Sequence, residues 1–218
     1  MPNKPPPDYD SVELKQWREN ADAVPEELES KSERLLTRIM AFVAKFGFKE
    51  PEVSEKVKSD VMFAAHFAKE PRRQGLHEIM AADWIKSIPG VDGFRVLPKS
   101  GSKAFYVTSD GDIDKGIRGS RPGKSLDFFW KTKGIDCYAM HKYTKEGGGN
   151  QDSQFKEMVA LLGNFLKCQD TSCVLFVIAD GQYYPGKKMD QLRKYTRDRA
   201  PRSYALPIEE LPNILETL

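Results

Sequence analysis

The stretch Cys173-Val-Leu-Phe-Val-Ile-Ala179 constrains the fold more than any other part of the chain, because it is apolar without interruption. A strand with one face in water alternates polar and apolar residues, so this run predicts a strand covered on both faces. Covering both faces takes helices on either side of a sheet, and the flanking patterns supply them. Gln151 to Lys167 is amphipathic, with Phe155, Met158, Val159, Leu162 and Phe165 directed inward. Lys187 to Arg197 reads as a helix, Ser203 to Leu206 as an edge strand and Ile208 to Glu216 as a closing helix. Upstream, Phe94 to Leu97 and Lys103 to Thr108 read as short strands about a turn at Pro98 to Ser102, followed by a glycine-rich loop from Ser109 to Lys124. Leu126 to Trp130 and Ile135 to Tyr143 read as two further strands, turned about Thr132 to Gly134. The predicted class is α/β, a mixed central sheet flanked by helices, with three or four antiparallel strands before the central one.

Ahead of this domain, which is expected over residues 61–218, residues 1–60 predict a helical arm whose first ten or so positions are Pro-rich and mobile. Leu35, Leu36, Ile39, Met40, Phe42, Val43 and Phe46 recur at helical spacing, and Gly47 is placed to stop that helix. Residues 54–69 and 73–87 predict two more helices, separated where Pro71 interrupts the pattern. The arm carries no catalytic constellation and reads as packing or dimer surface.

Composition excludes some classes. A chain of 218 residues buries enough surface to need no staple. Cys137, Cys168 and Cys173 are odd in number and form no C-x-x-C pair, so buried thiols in a reducing compartment are expected rather than a disulfide framework or a zinc site. No apolar run approaches the roughly 18 residues of a membrane helix, and the polar start lacks a signal peptide's apolar stretch, so no membrane partner is expected and the cytoplasm is.

Net charge is +2, which argues neither for nor against nucleic acid. The distribution is more informative. Lys115, Arg118, Arg121, Lys124, Lys131 and Lys133 crowd around Asp127, and Lys187, Lys188, Arg193, Lys194, Arg197, Arg199 and Arg202 form a second basic stretch. A phosphate backbone requires such a local basic face, although the second stretch reads equally well as a solvated helix surface.

The segment Ser125-Leu-Asp-Phe-Phe-Trp130 places Asp127 near the tip of one apolar strand, and Tyr138-Ala-Met-His-Lys-Tyr143 places Lys142 in the next. The run Gly147-Gly-Gly149 then opens a polar helix. A carboxylate there can hold Mg²⁺ against a scissile phosphate, while a lysine can orient or deprotonate the attacking water and offset transition-state charge. Taken singly, Asp127 reads as a strand-edge residue and Lys142 as a solvated one; their joint placement carries the chemistry. Lys145 to Asp152 also invites a phosphate-loop reading, but it lacks G-x-x-x-x-G-K-[ST], so a DNA phosphate suits it better than a nucleotide. Gln151 and Gln154 share one helix face and can pair with adenine, or simply begin a helix.

In layout over residues 72–212, and specifically over 125–154, the chain resembles the PD-(D/E)XK nuclease superfamily, and within it the type II restriction endonucleases. The resemblance implies an αβββαβ restriction-endonuclease-like core and Mg²⁺-dependent hydrolysis of double-stranded DNA at a short site. It also implies a homodimer matched to a palindromic duplex, a bacterial or archaeal cytoplasm, and a cognate DNA methyltransferase. Asp127 and Lys142 become the catalytic pair, with the His141 main-chain carbonyl in the metal shell; Arg118, Arg121, Lys124, Gln151, Gln154, Arg72 and Arg73 become candidate DNA contacts. Relatives carry an acid two residues before the lysine, where this chain has Met140, and a thioether is a poor ligand for a hard cation. Another carboxylate has to replace it in an active enzyme. Glu78 is the first candidate, because relatives supply a Glu from the helix preceding the sheet; Asp152 is the second and Glu146 the third, although either reads equally as an acid favoured at a helix start. Rival readings are a catalytically inactive DNA-binding module on the same fold, a repair or nicking nuclease and, more distantly, a nucleotide-binding protein that uses the glycine run.

Overall fold

The computed structural model describes the backbone of residues 4–71, 73–116, 125–147 and 149–218, and their side chains except at 73, 74 and 149–151. The chain divides into a helical unit, Asp8–Leu76, and an α/β unit from His77 to Leu218 that includes residues 4–7. Those N-terminal residues, expected to be mobile, are tied down: the Trp84 indole donates to the Lys4 carbonyl at 3.1 Å.

The helical unit contains α1 (Tyr9–Asp22), α2 (Val24–Glu29), α3 (Glu33–Phe46), α4 (Glu50–Ser59) and α5 (Val61–Phe67). Its core gathers Val24, Leu28, Leu35, Ile39, Val53, Val57, Ala64 and Phe67. The helix expected over 54–69 is broken at Asp60, which leaves helical geometry and accepts from the Phe63 N–H at 3.1 Å, capping α5. The orphan carbonyls at the other end of α5 are met by Arg38, which donates to His66, Phe67 and Ala68. Because Ala64 and Phe67 of α5 belong to this core, the unit extends well past the boundary expected at residue 60. Met40, Phe46, Phe48, Val61 and Met62 stay exposed.

The α/β unit is built on one sheet of β1 (Asp92–Val96), β4 (Phe128–Thr132), β5 (Ile135–Tyr143), β6 (Cys173–Asp180) and β7 (Arg202–Leu206), in the order β1-β4-β5-β6-β7. The first three run antiparallel; β5, β6 and β7 are mutually parallel. The apolar run is therefore central, and alternation sends Val174, Phe176 and Ile178 to one core and Cys173, Leu175 and Val177 to the other. The first face is covered by Ala81, Trp84 and Ile85 of α6 (Arg73–Ile85) and by Leu211 and Leu215 of α9 (Leu211–Thr217). The second is covered by Met158, Leu162 and Phe165 of α7 (Gly149–Phe165) and by Met189 and Leu192 of α8 (Lys187–Arg193). A mixed α/β fold with a five-stranded sheet flanked by helices follows. All three cysteines are free and buried, and burial pushes the Cys137 thiol up to about 12.

Several local expectations are corrected. The strand read at Lys103 to Thr108 does not join the main sheet: β2 (Phe105–Val107) pairs with β3 (Ile113–Lys115), inside the expected loop, as a separate hairpin. Helix α8 stops at Arg193 rather than Arg197, because Arg197 turns back to exchange backbone hydrogen bonds with Ser203. A 3-10 turn over Ile208–Glu210 precedes α9. The β4–β5 turn needs positive φ at both central residues, and Lys133 (50°) and Gly134 (80°) adopt it. Among the described residues no helix is long and apolar enough to cross a membrane.

Candidate active site

Asp127 lies at a fork in the sheet. From Phe128 onward β4 pairs with β5, Phe128 opposite Ala139. Before it, Ser125 bridges to Tyr106, and the Leu126 N–H donates to the Phe105 carbonyl at 2.8 Å, so the chain has left β5 for the hairpin. Asp127 is the last shared position: its N–H donates to the Ala139 carbonyl, and its own carbonyl accepts from the Leu97 N–H, each at 2.8 Å. Where the backbones part, the carboxylate fills the gap, and Asp127 Oδ2 accepts from the His141 N–H at 2.8 Å.

That hydrogen bond gives Asp127 a structural reason to exist, but it does not require a charge. The residue is buried, and its other carboxylate oxygen accepts no hydrogen bond among the described residues. Burial raises the carboxyl above its ordinary range. The Lys142 ammonium and the His141 N–H oppose that rise, while the Glu78 carboxylate adds to it. Thus Lys142, from the neighbouring strand, and Glu78, from α6, both act electrostatically on Asp127.

Glu78 projects from α6 with 16% of its side chain exposed, and its Oε2 is 2.6 Å from the Nζ of Lys99, a residue 61% exposed. Sequence reasoning missed Lys99, which reads as an ordinary basic turn residue. Its backbone is fixed to the fork, since the Ser125 hydroxyl donates to the Lys99 carbonyl at 2.9 Å.

The neighbours of Lys142 on β5 are structural. Met140 is wholly buried in the core beneath α7, so the position two residues before Lys142, where an acid was expected from the resemblance, is a packing position. Alternation turns the His141 imidazole to the opposite face, where Nε2 is 3.0 Å from Oδ2 of buried Asp180. Asp180 Oδ1 in turn accepts from the Ile208 N–H at 2.8 Å. The His141 side chain is therefore engaged with Asp180, on the face opposite Lys142.

The other candidate residues separate. Asp152, in the first turn of α7, accepts from the Tyr183 hydroxyl at 2.5 Å and from Lys188 at 3.2 Å, and both hold its carboxyl below the ordinary range. No hydrogen bond or ion pair among the described residues joins it to Asp127 or Lys142. Glu146 is exposed beyond the end of β5, and Gln154 is half-buried on α7. Arg72, Arg118, Arg121 and Lys124 lie outside the described residues; Arg73 and Gln151 fall within α6 and α7, with side chains likewise outside the description. Much of the second basic stretch is occupied internally. Arg193 pairs with both oxygens of Glu210 at 3.1 and 2.8 Å, and Arg197 donates to the Leu166 and Cys168 carbonyls.

The donor chemistry fits a hard divalent cation. Asp127 and Glu78 offer carboxylate oxygens whose mutual repulsion a dication would relieve. Among the described residues no group of three or more His, Cys, Asp or Glu is arranged to hold a metal, so waters and main-chain oxygen would complete the shell. Mg²⁺ tolerates this, because it keeps several waters and typically takes only one or two carboxylates. No family model matches the chain, and none of the curated proteins matches it.

Proposed function

We propose that the chain is a Mg²⁺-dependent endonuclease of the PD-(D/E)XK type that cuts both strands of duplex DNA at a short site, in the manner of type II restriction endonucleases. The observation that carries this reading is the buried Asp127 carboxylate at the strand fork, bonded to the His141 N–H and joined through its backbone to β5, the strand that carries Lys142. The element order α6-β1-β4-β5-α7-β6, with β2 and β3 inserted, supports it, since this is the αβββαβ order expected of that superfamily. When bound, Mg²⁺ supplies Lewis-acid polarisation of the scissile phosphoryl group, and Asp127 and Glu78 are the residues that would hold it. Lys142 orients the attacking water and offsets negative charge developing on the phosphate. Asp127 is buried, and burial strengthens the charge interactions it makes.

Incubation with plasmid DNA and Mg²⁺, with EDTA as control, tests the reading: discrete fragments support it. Smearing or nicking moves it to a repair nuclease. Retarded but intact DNA supports the second reading, a catalytically inactive DNA-binding module, which the buried Met140 in place of an acid favours. The homodimer belongs to the proposal through the match between a two-fold axis and a palindromic site, and the exposed Phe46, Phe48 and Met62 are available to it. A cognate DNA methyltransferase would protect the host's own sites.

A further inference from the structure

Glu78 does not meet the candidate site as a free ligand. Its Oε2 is held 2.6 Å from Lys99 Nζ, and the two side chains differ sharply in exposure, 16% against 61%. An ordinary surface ion pair is worth little, but here the acid is largely buried and acts on a second, buried carboxylate, so that an uncompensated charge is costly. The backbone at Lys99 is hydrogen-bonded to the strand that carries Asp127. The Leu97 N–H is bonded to the Asp127 carbonyl, and the Ser125 hydroxyl to the Lys99 carbonyl, so the lysine backbone is anchored on both sides of the fork. Its exposed side chain can move into water without moving that backbone.

We propose that Lys99 is an internal counter-cation that occupies Glu78 until a divalent cation displaces it, and so sets the cation concentration at which the site fills. The inference rests on the reading of Asp127 and Glu78 as the metal-holding pair. The ammonium 2.6 Å from Oε2 and a dication held on the same carboxylate are like charges only a few ångströms apart, and the 61% exposed lysine is the one that can retreat into water. Binding of the dication therefore includes the cost of expelling Lys99. Removing the ammonium removes the competitor.

The test is Mn²⁺ binding to the full chain without DNA, read from the paramagnetic resonance of free Mn²⁺. Lys99→Met is expected to bind Mn²⁺ about tenfold more tightly than the wild type, as expected when one nearby unit charge is removed from a partly solvated site. Lys99→Arg, which keeps the charge, should stay within about threefold of the wild type. Glu78→Gln should bind at least about tenfold more weakly, because a carboxylate ligand is lost. If Glu78→Gln weakens binding while Lys99→Met leaves it unchanged or weaker, the counter-cation role is overturned and the metal-holding pair survives. If the wild type takes up no Mn²⁺, or Glu78→Gln binds as the wild type does, the metal-holding pair falls and this inference falls with it.

Discussion

Replacing Asp127 by Asn removes a buried charge while keeping the oxygen that accepts from the His141 N–H at 2.8 Å. The effective cost of burying a carboxylate is several kcal/mol, and a hydrogen bond to the charged form returns about 1.5 to 3 kcal/mol against about 1 for a neutral acceptor. With Lys142 offsetting part of the remainder, the Asn variant is expected to be more stable than the wild type near pH 8 by about 1 to 2 kcal/mol. For a chain of this size that is a rise in Tm of about 2 to 8 °C. The pH dependence has a definite sign. A carboxyl whose folded pKa is raised above its unfolded value, near 3.8, contributes stability that is fully present below that value and lost as pH rises through the folded pKa. The wild type therefore loses this contribution as pH rises above the unfolded value and through the raised folded one, while Asn does not titrate, so the two stability curves diverge with rising pH. Mg²⁺ should narrow the gap: at ten times its Kd it stabilises the wild type by about 1.4 kcal/mol and leaves the Asn variant unmoved. Thermal melts across this pH range, with and without Mg²⁺, read all three effects. An Asn variant less stable than the wild type at pH 8, or a gap that closes as pH rises, would refute the argument and make Asp127 a structural anion.

Cleavage assays should separate the acids: Glu78→Gln is expected to lose at least about 10²-fold in rate, and Asp152→Asn much less, because Asp152 is engaged by Tyr183 and Lys188. Substituting Arg118, Arg121 and Lys124 together by Ala should weaken DNA binding in Ca²⁺ and flatten its salt dependence by roughly one unit per lost phosphate contact; unchanged binding would place that loop away from DNA. Gly181→Ala should destabilise the α/β unit by more than about 2 kcal/mol in urea, since a Cβ there would lie 2.3 Å from the Thr144 carbonyl oxygen at a φ of +96°. Gly90→Ala, at a positive φ but in open space, should cost only about 1 to 2 kcal/mol, and equal losses at both positions would contradict the steric account.

The central strand, the strands beside it and the helices on each face were legible in the chain because burial on both sides of a strand leaves an unmistakable apolar run, and helix amphipathicity has its own period. The hairpin of β2 and β3 was not. Its strands are three residues each, too short for a pattern, and they are held by local pairing and by packing at the end of α7, where Lys167 donates to the Ser109 carbonyl at 2.7 Å. At the candidate site, the strands that carry Asp127 and Lys142 were legible, whereas Glu78 was singled out only through the resemblance to a family that supplies a helix acid. The sequence could not reveal that β4 forks at Asp127, that Met140 is turned into the core, or that Lys99 sits on Glu78. Each depends on which backbones diverge and which charges converge across distant parts of the chain. Strand and helix periodicity records which face of an element is dry, whereas the charge environment of a carboxylate is set by groups that only tertiary packing brings within reach.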